Sequence, residues 1–121
     1  MFVGVDRDDT EGDASALAKK VTELRVFEDD SGRMNRSVLE AGGEIMAVSQ
    51  FTLLGDARKG RRPSFERAAE PEPARKLYEF FVNAVGARGV TVSTGVFQEM
   101  MDVELINSGP VTVLLDTQKA F

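Results

Sequence analysis

Apolar residues recur at helical spacing in two stretches of the chain. Ala14, Leu17, Ala18, Val21 and Leu24 lie three or four residues apart and form one stripe. Thr10, with an acid three residues on at Asp13, is an N-cap signature for that helix. In the second stretch Ala74, Leu77, Tyr78, Phe81, Val82 and Val85 share a face. Pro73 suits its first turn, and Gly86 and Gly89 end it.

Between and after these helices the pattern is that of strands. Phe2–Val5 reads as a short strand, and Val26–Phe27 as a strand end entering the turn Asp29-Asp30-Ser31-Gly32. The strongest strand is predicted over Glu44–Leu54. There Ile45, Ala47, Ser49, Phe51 and Leu53 face one way, and Met46, Val48, Gln50 and Thr52 the other. Both faces are mostly apolar, so a central strand covered on both sides is expected. Val90–Thr94, Met101–Ile106 and Val111–Leu115 read as further strands, the last two joined by Asn107-Ser108-Gly109-Pro110. Strands outnumber helices and the close connections imply antiparallel pairing. The fold class predicted is α+β, a mostly antiparallel sheet packed with two main helices. No repeat, linker or low-complexity tract interrupts residues 1–121, so a single domain is expected.

Composition narrows the chemistry more than the architecture. The chain has 121 residues, enough to bury about two-thirds of its unfolded surface in one core. With 42% hydrophobic and 29% charged residues it has a globular composition. No apolar run is long enough to span a membrane, and the N-terminus has no signal-peptide pattern, so a cytoplasmic location is expected. There is no Cys and no His. Disulfides, thiolate nucleophiles, Cys or His metal sites and histidine relays are excluded, and no cofactor is called for. The net charge of −5 argues against nonspecific binding to nucleic acid, DNA included. The charge is unevenly placed, however: Arg58, Lys59, Arg61 and Arg62 gather around Gly60 in a predicted loop.

Two short segments carry candidate chemistry. Ser49-Gln50-Phe51-Thr52 sets three polar side chains in an otherwise apolar strand. They either bond to neighbouring backbone or form the floor of a polar pocket. Thr52 is a conceivable nucleophile, but no His or Cys exists to activate it. Gly109-Pro110 is either a plain turn or a rigid wall that recognises a ligand by shape. A metal role for the loop acids Asp29 and Asp30 is disfavoured, since such acids are usually solvated.

Five segments occur in one order: Ser49-Gln50-Phe51-Thr52-Leu53, Lys59-Gly60, Arg62-Pro63-Ser64-Phe65, Thr94-Gly95-Val96-Phe97 and Asn107-Ser108-Gly109-Pro110-Val111-Thr112. Together they resemble the D-aminoacyl-tRNA deacylases, formerly called D-tyrosyl-tRNA deacylases, from about Val3 to Leu115. The resemblance implies a deacylase-like fold and a homodimer. It also implies cleavage of the ester between a D-amino acid and the 3′-terminal adenosine of tRNA. Ser49, Gln50, Phe51 and Thr52 would line the catalytic pocket. Gly109 and Pro110, joined by a cis bond in the family, would enter the partner subunit's pocket and exclude L-amino acids. Phe97 and Met101 match positions near the terminal adenine, with Asn107 and Thr112 as further substrate-binding candidates.

The absence of His and Cys makes a substrate-assisted mechanism easier than a Thr52 nucleophile. The terminal ribose 2′-hydroxyl would help activate water or the ester, while backbone N–H groups around Phe51 and Thr52 stabilise the oxyanion. Arg58, Lys59, Arg61 and Arg62 would neutralise tRNA phosphates, or else pair with the chain's own acids. The family also implies a strand, a turn and a second strand, roughly 25 residues, ahead of Met1. Without it a sheet edge is left unpaired. Competing readings are a relative that edits Gly- or Ala-tRNA, some of which carry a trans Gly-Pro, and a noncatalytic tRNA-binding homologue.

Overall fold

The computed structural model describes residues 1–121. Three strands, β1 (Phe2–Val3), β4 (Ile45–Ser49) and β5 (Val92–Thr94), form one sheet in the order β1-β4-β5. Both pairings are parallel, Phe2 opposite Val48 and Ile45 opposite Val92. Parallel neighbours need a crossover, and helices supply both. Helix α1 (Glu11–Glu23) lies between β1 and β4, and α3 (Pro71–Ala87) between β4 and β5. A second sheet pairs β2 (Phe27–Glu28) with β3 (Met34–Arg36) antiparallel, and the single turn α2 (Val38–Ala41) follows.

The helices follow their periodicity. Thr10 and Asp13 form a reciprocal capping box on α1, which gives the Thr10 and Asp13 amides acceptors. The Thr10 hydroxyl and N–H bonds hold the Asp13 carboxyl below its ordinary range. Helix α3 begins at Pro71 and has Pro73 in its first turn. Gly86 lies within α3, and Gly89, at φ +95°, turns the chain just beyond it. Ala74, Tyr78, Phe81 and Val85 are its buried face, and the last three join Ala18 and Ala47 in the core. The Tyr78 hydroxyl donates to Ala47 O at 2.8 Å, tying α3 to the central strand. Asp29 accepts from the amides of Ser31 and Arg33 and from Asn35 Nδ2. Its carboxylate therefore closes the β2–β3 turn, and those bonds, Asn35 first, lower its pKa.

Three expectations are corrected. The α+β class stands, but the sheet is not mostly antiparallel: the long connections are helical crossovers, which return each strand in the same direction. Met101–Ile106 and Val111–Leu115 form no strands, since residues 100–115 take part in no backbone–backbone hydrogen bond. The predicted strand Glu44–Leu54 ends at Ser49, and Phe51–Leu54 is a 3-10 turn. β4 is central, yet Met46 on one of its faces is 48% exposed. No helix is long and apolar enough to cross a membrane.

Candidate active site

The site begins where β4 stops. Gln50 N–H still donates to Val3 O at 2.8 Å, the last rung of the ladder to β1. Gln50 then leaves the strand conformation (φ −144°, ψ 88°), and its carbonyl accepts from Leu53 N–H at 3.3 Å. A Cβ on Gly4 would lie 2.6 Å from Leu54 Cδ2 and 3.1 Å from Leu53 Cβ, so the chain leaving β1 packs closely against the turn.

The turn reorients the side chains that strand alternation had placed on opposite faces. Phe51, Thr52 and Leu53 are all exposed, whereas Ser49 and Gln50 are half-buried. The polar cluster therefore sits on an open rim and not inside a covered strand. Gln50 Nε2 donates to Thr52 Oγ1. The N–H groups of Phe51 and Thr52 donate to nothing in the chain, which leaves two adjacent donors without a partner in an exposed turn. No Lys, Arg or carboxylate makes a hydrogen bond to Thr52, so nothing in the chain can take its proton. Phe51 packs edge-on against Phe65, with centroids 5.2 Å apart.

The basic loop is closed by the pairing of Asp56 with Ser64, through two backbone bonds of 2.8 and 2.9 Å. Within it Arg58 is held by Asp56, with Nε to Oδ1 at 2.8 Å and Nη2 to Oδ2 at 2.5 Å. That bidentate contact keeps the Asp56 carboxyl well below the usual carboxylate range. Lys59, Arg61 and Arg62 form no ion pair and are exposed. The four cations of the sequence are thus one structural arginine and three free charges.

Met101 and Phe97 lie past the end of β5, beside the same C-terminal half of β4 that leads into the turn. A Cβ on Gly95 would sit 3.0 Å from Met101 Sδ and 3.7 Å from Val48, so Met101 packs over Gly95 beside the strand. Phe97 contacts Tyr78, centroids 6.2 Å apart, and the Arg75 guanidinium lies 5.0 Å from the Phe97 centroid. Arg75 carried no signal in the sequence, because a charged residue one turn before Tyr78 reads as a solvated helix position. Asp56 was missed similarly, since its role depends on the loop's closure.

Asn107 Nδ2 donates to Thr112 Oγ1 and Val111 N–H donates to Asn107 Oδ1, both at 3.1 Å. These bonds bracket Gly109-Pro110, whose peptide is cis. Asn107 and Thr112, expected to touch substrate, here hold the loop that carries the pair. No hydrogen bond joins the 107–112 loop to the 49–52 turn within one chain.

With this geometry in place, similarity to known proteins decides the kinship. The family described as D-Tyr-tRNA(Tyr) deacylase matches residues 1–116. The chain belongs to that family. A D-aminoacyl-tRNA deacylase from Koribacter versatilis is 56% identical over 121 residues, covering 100% of this chain and 81% of that protein. One from Thermus aquaticus is 56% identical over 119 residues, 98% of this chain and 78% of that protein. These deacylases are thus about a quarter longer than the matched segment. Among solved structures, the c-Myc DNA Unwinding Element Binding Protein superposes with a TM-score of 0.88 at 36% identity. The match covers 95% of this chain and 78% of that one. A probable eukaryotic D-amino acid tRNA deacylase shares the fold, with a TM-score of 0.70 at 20% identity over 82% of this chain and 74% of that one.

Proposed function

We propose that this chain hydrolyses the ester joining a D-amino acid to the terminal adenosine of tRNA, releasing the free D-amino acid and tRNA. Kinship over the whole chain supports the reaction, and the observation that carries the mechanism is the pair of unused N–H donors at Phe51 and Thr52. In the reaction a water oxygen bonds to the ester carbonyl carbon. The carbon–oxygen bond to the ribose then breaks, and the 3′ oxygen takes up a proton. Negative charge develops on the carbonyl oxygen in between, and two preorganised N–H donors suit it. Ser49 and Gln50 shape the pocket, and Thr52 serves as the acceptor that fixes the Gln50 amide. The 2′-hydroxyl beside the ester supplies the activation that this chain's side chains lack.

Residues 1–121 act as a single domain in this proposal, and two copies assemble. Seven large apolar side chains between Met100 and Leu114 are exposed, Met100 and Ile106 more than nine-tenths so. Together with the unpaired backbone of residues 100–115, they favour a protein partner over water. In a homodimer the bracketed Gly109-Pro110 turn would reach the other subunit's pocket and exclude L-amino acids by shape. Phe97 stacks on the terminal adenine beside Met101.

Lys59, Arg61 and Arg62 contact tRNA phosphates. Arg61→Glu is expected to weaken tRNA binding about tenfold near physiological salt and to flatten the salt dependence of binding. A filter-binding titration at several salt concentrations checks this; unchanged affinity would place the loop outside the interface. The activity itself is tested by following D-Tyr-tRNA and L-Tyr-tRNA beside a measurement of oligomeric state. Loss of the D ester alone, by a dimer, is expected. A dimer that cleaves neither ester would overturn the reaction and leave tRNA binding without catalysis.

A further inference from the structure

Arg75 has no part in the reaction proposed above, yet its surroundings are unusual for a charged residue. Its Nε is buried without a hydrogen-bond partner, and no carboxylate pairs with its guanidinium. An arginine on a helix surface ordinarily finds water or an acid. Here the group instead lies over an aromatic ring, 5.0 Å from the Phe97 centroid. A cation over a ring face is attracted by the ring's quadrupole, and partial burial strengthens that attraction.

The same ring touches Tyr78, with the two planes inclined by 33°. Residues three apart on a helix are neighbours on one face, so Arg75 and Tyr78 both reach Phe97 from α3. Tyr78 is only 5% exposed and is anchored through its hydroxyl to Ala47, two residues before Ser49 in β4. Phe97 itself lies beyond the end of β5, in a segment without ladder bonds. The next residue, Gln98, has φ +62°, a left-handed conformation that a non-glycine residue keeps only when its surroundings impose it. The orientation of Phe97 therefore depends on side-chain contacts.

We propose that Arg75 is a positioning residue that clamps the Phe97 ring onto α3, so that the ring is a fixed stacking platform for the terminal base of the tRNA. The proposal rests on the adenine-stacking role given to Phe97 above. Tyr78 supplies the rigid half of the mount and Arg75 the outer half. A ring held in advance binds a base without losing further rotamer freedom, so the effect falls on substrate binding and not on bond breaking.

Steady-state deacylation of D-Tyr-tRNA tests this with Arg75→Met, Arg75→Lys, Phe97→Leu and the Arg75→Met/Phe97→Leu pair, each checked by thermal melting. Arg75→Met keeps the stem and removes the charge. It is expected to raise KM about fivefold with kcat unchanged. Arg75→Lys, which keeps a cation over the ring, restores KM to within about twofold. Phe97→Leu raises KM further, and the double variant matches Phe97→Leu alone, because the clamp has nothing left to hold. Additive effects of the two substitutions would overturn the clamp, since Arg75 would then act on the substrate independently. Wild-type KM for Arg75→Met with impaired Phe97→Leu would also overturn it while leaving the adenine platform intact. Wild-type KM for Phe97→Leu would remove the platform and the clamp together. A lowered melting temperature with no change in KM would reduce Arg75 to a structural contact.

Discussion

Replacing the terminal adenosine of D-Tyr-tRNA by 2′-deoxyadenosine is expected to slow deacylation by about 10²–10⁴-fold, the usual range for losing an acid–base group. Thr52→Ala is expected to cost less than about tenfold, the equivalent of one side-chain hydrogen bond. The contrast follows from what surrounds Thr52. Its hydroxyl accepts from Gln50 Nε2, and no group within hydrogen-bond reach can take its proton. The chain contains no His or Cys from which such a base could be built. What the turn does offer is two unused N–H groups, which stabilise charge but move no proton. The proton-moving group must then come from the substrate, and the hydroxyl adjacent to the ester is the nearest one. Single-turnover kinetics on both tRNAs with both proteins decides the matter. A Thr52→Ala protein that loses activity by 10³-fold or more, with the deoxy substrate still cleaved, would restore the threonine nucleophile.

Gly109→Ala is expected to reduce discrimination between D- and L-Tyr-tRNA by at least about tenfold, through strain of one to a few kcal/mol in the loop. Gly109 has φ +126°, where an L side chain is strained in any surroundings. A Cβ there would also lie 2.9 Å from Val111 Cγ2 and 3.1 Å from Val111 N. Either Val111 moves, breaking its bond to Asn107 Oδ1, or Gly109 and Pro110 change orientation. Both outcomes displace the surface proposed to exclude L-amino acids. The melting temperature should fall by no more than about 10 °C, because the exposed loop makes no backbone–backbone bond to the core and relieves part of the strain by moving. Initial rates on the two esters, measured with the same protein preparation, give the ratio. Unaltered selectivity would show that Gly109 takes no part in rejection.

Helix positions were legible because they depend on contacts within a few residues. The stripe from Ala14 to Leu24 and the one from Ala74 to Val85 are burial patterns written locally, and the Thr10–Asp13 box spans three residues. Strand partners were not legible in the same way. Whether β4 meets its neighbours parallel or antiparallel depends on how the chain crosses between them, and a hydrophobic alternation is identical in either case. Met101–Ile106 and Val111–Leu115 show the same limit. Their alternation records a tendency to pair, yet their backbones form no ladder bond to any other segment of the chain.

For the site, the sequence by itself determined which chemistry is available. It holds hydroxyls, an amide, backbone donors and free cations, with no imidazole or thiol, and five ordered motifs marked the family. Only the tertiary structure decided how those groups are presented. The break at Gln50 turned a supposed strand into a rim with two free N–H groups, as the ladder to β1 ends with the bond from Gln50 N–H to Val3 O and the chain tightens into a 3-10 turn. Closure of the 56–64 loop set Arg58 against Asp56 and left three cations free. Packing across α3 placed Arg75 on Phe97. Each of these depends on residues far apart in the chain meeting in space, and spacing along a single strand of sequence carries no record of that.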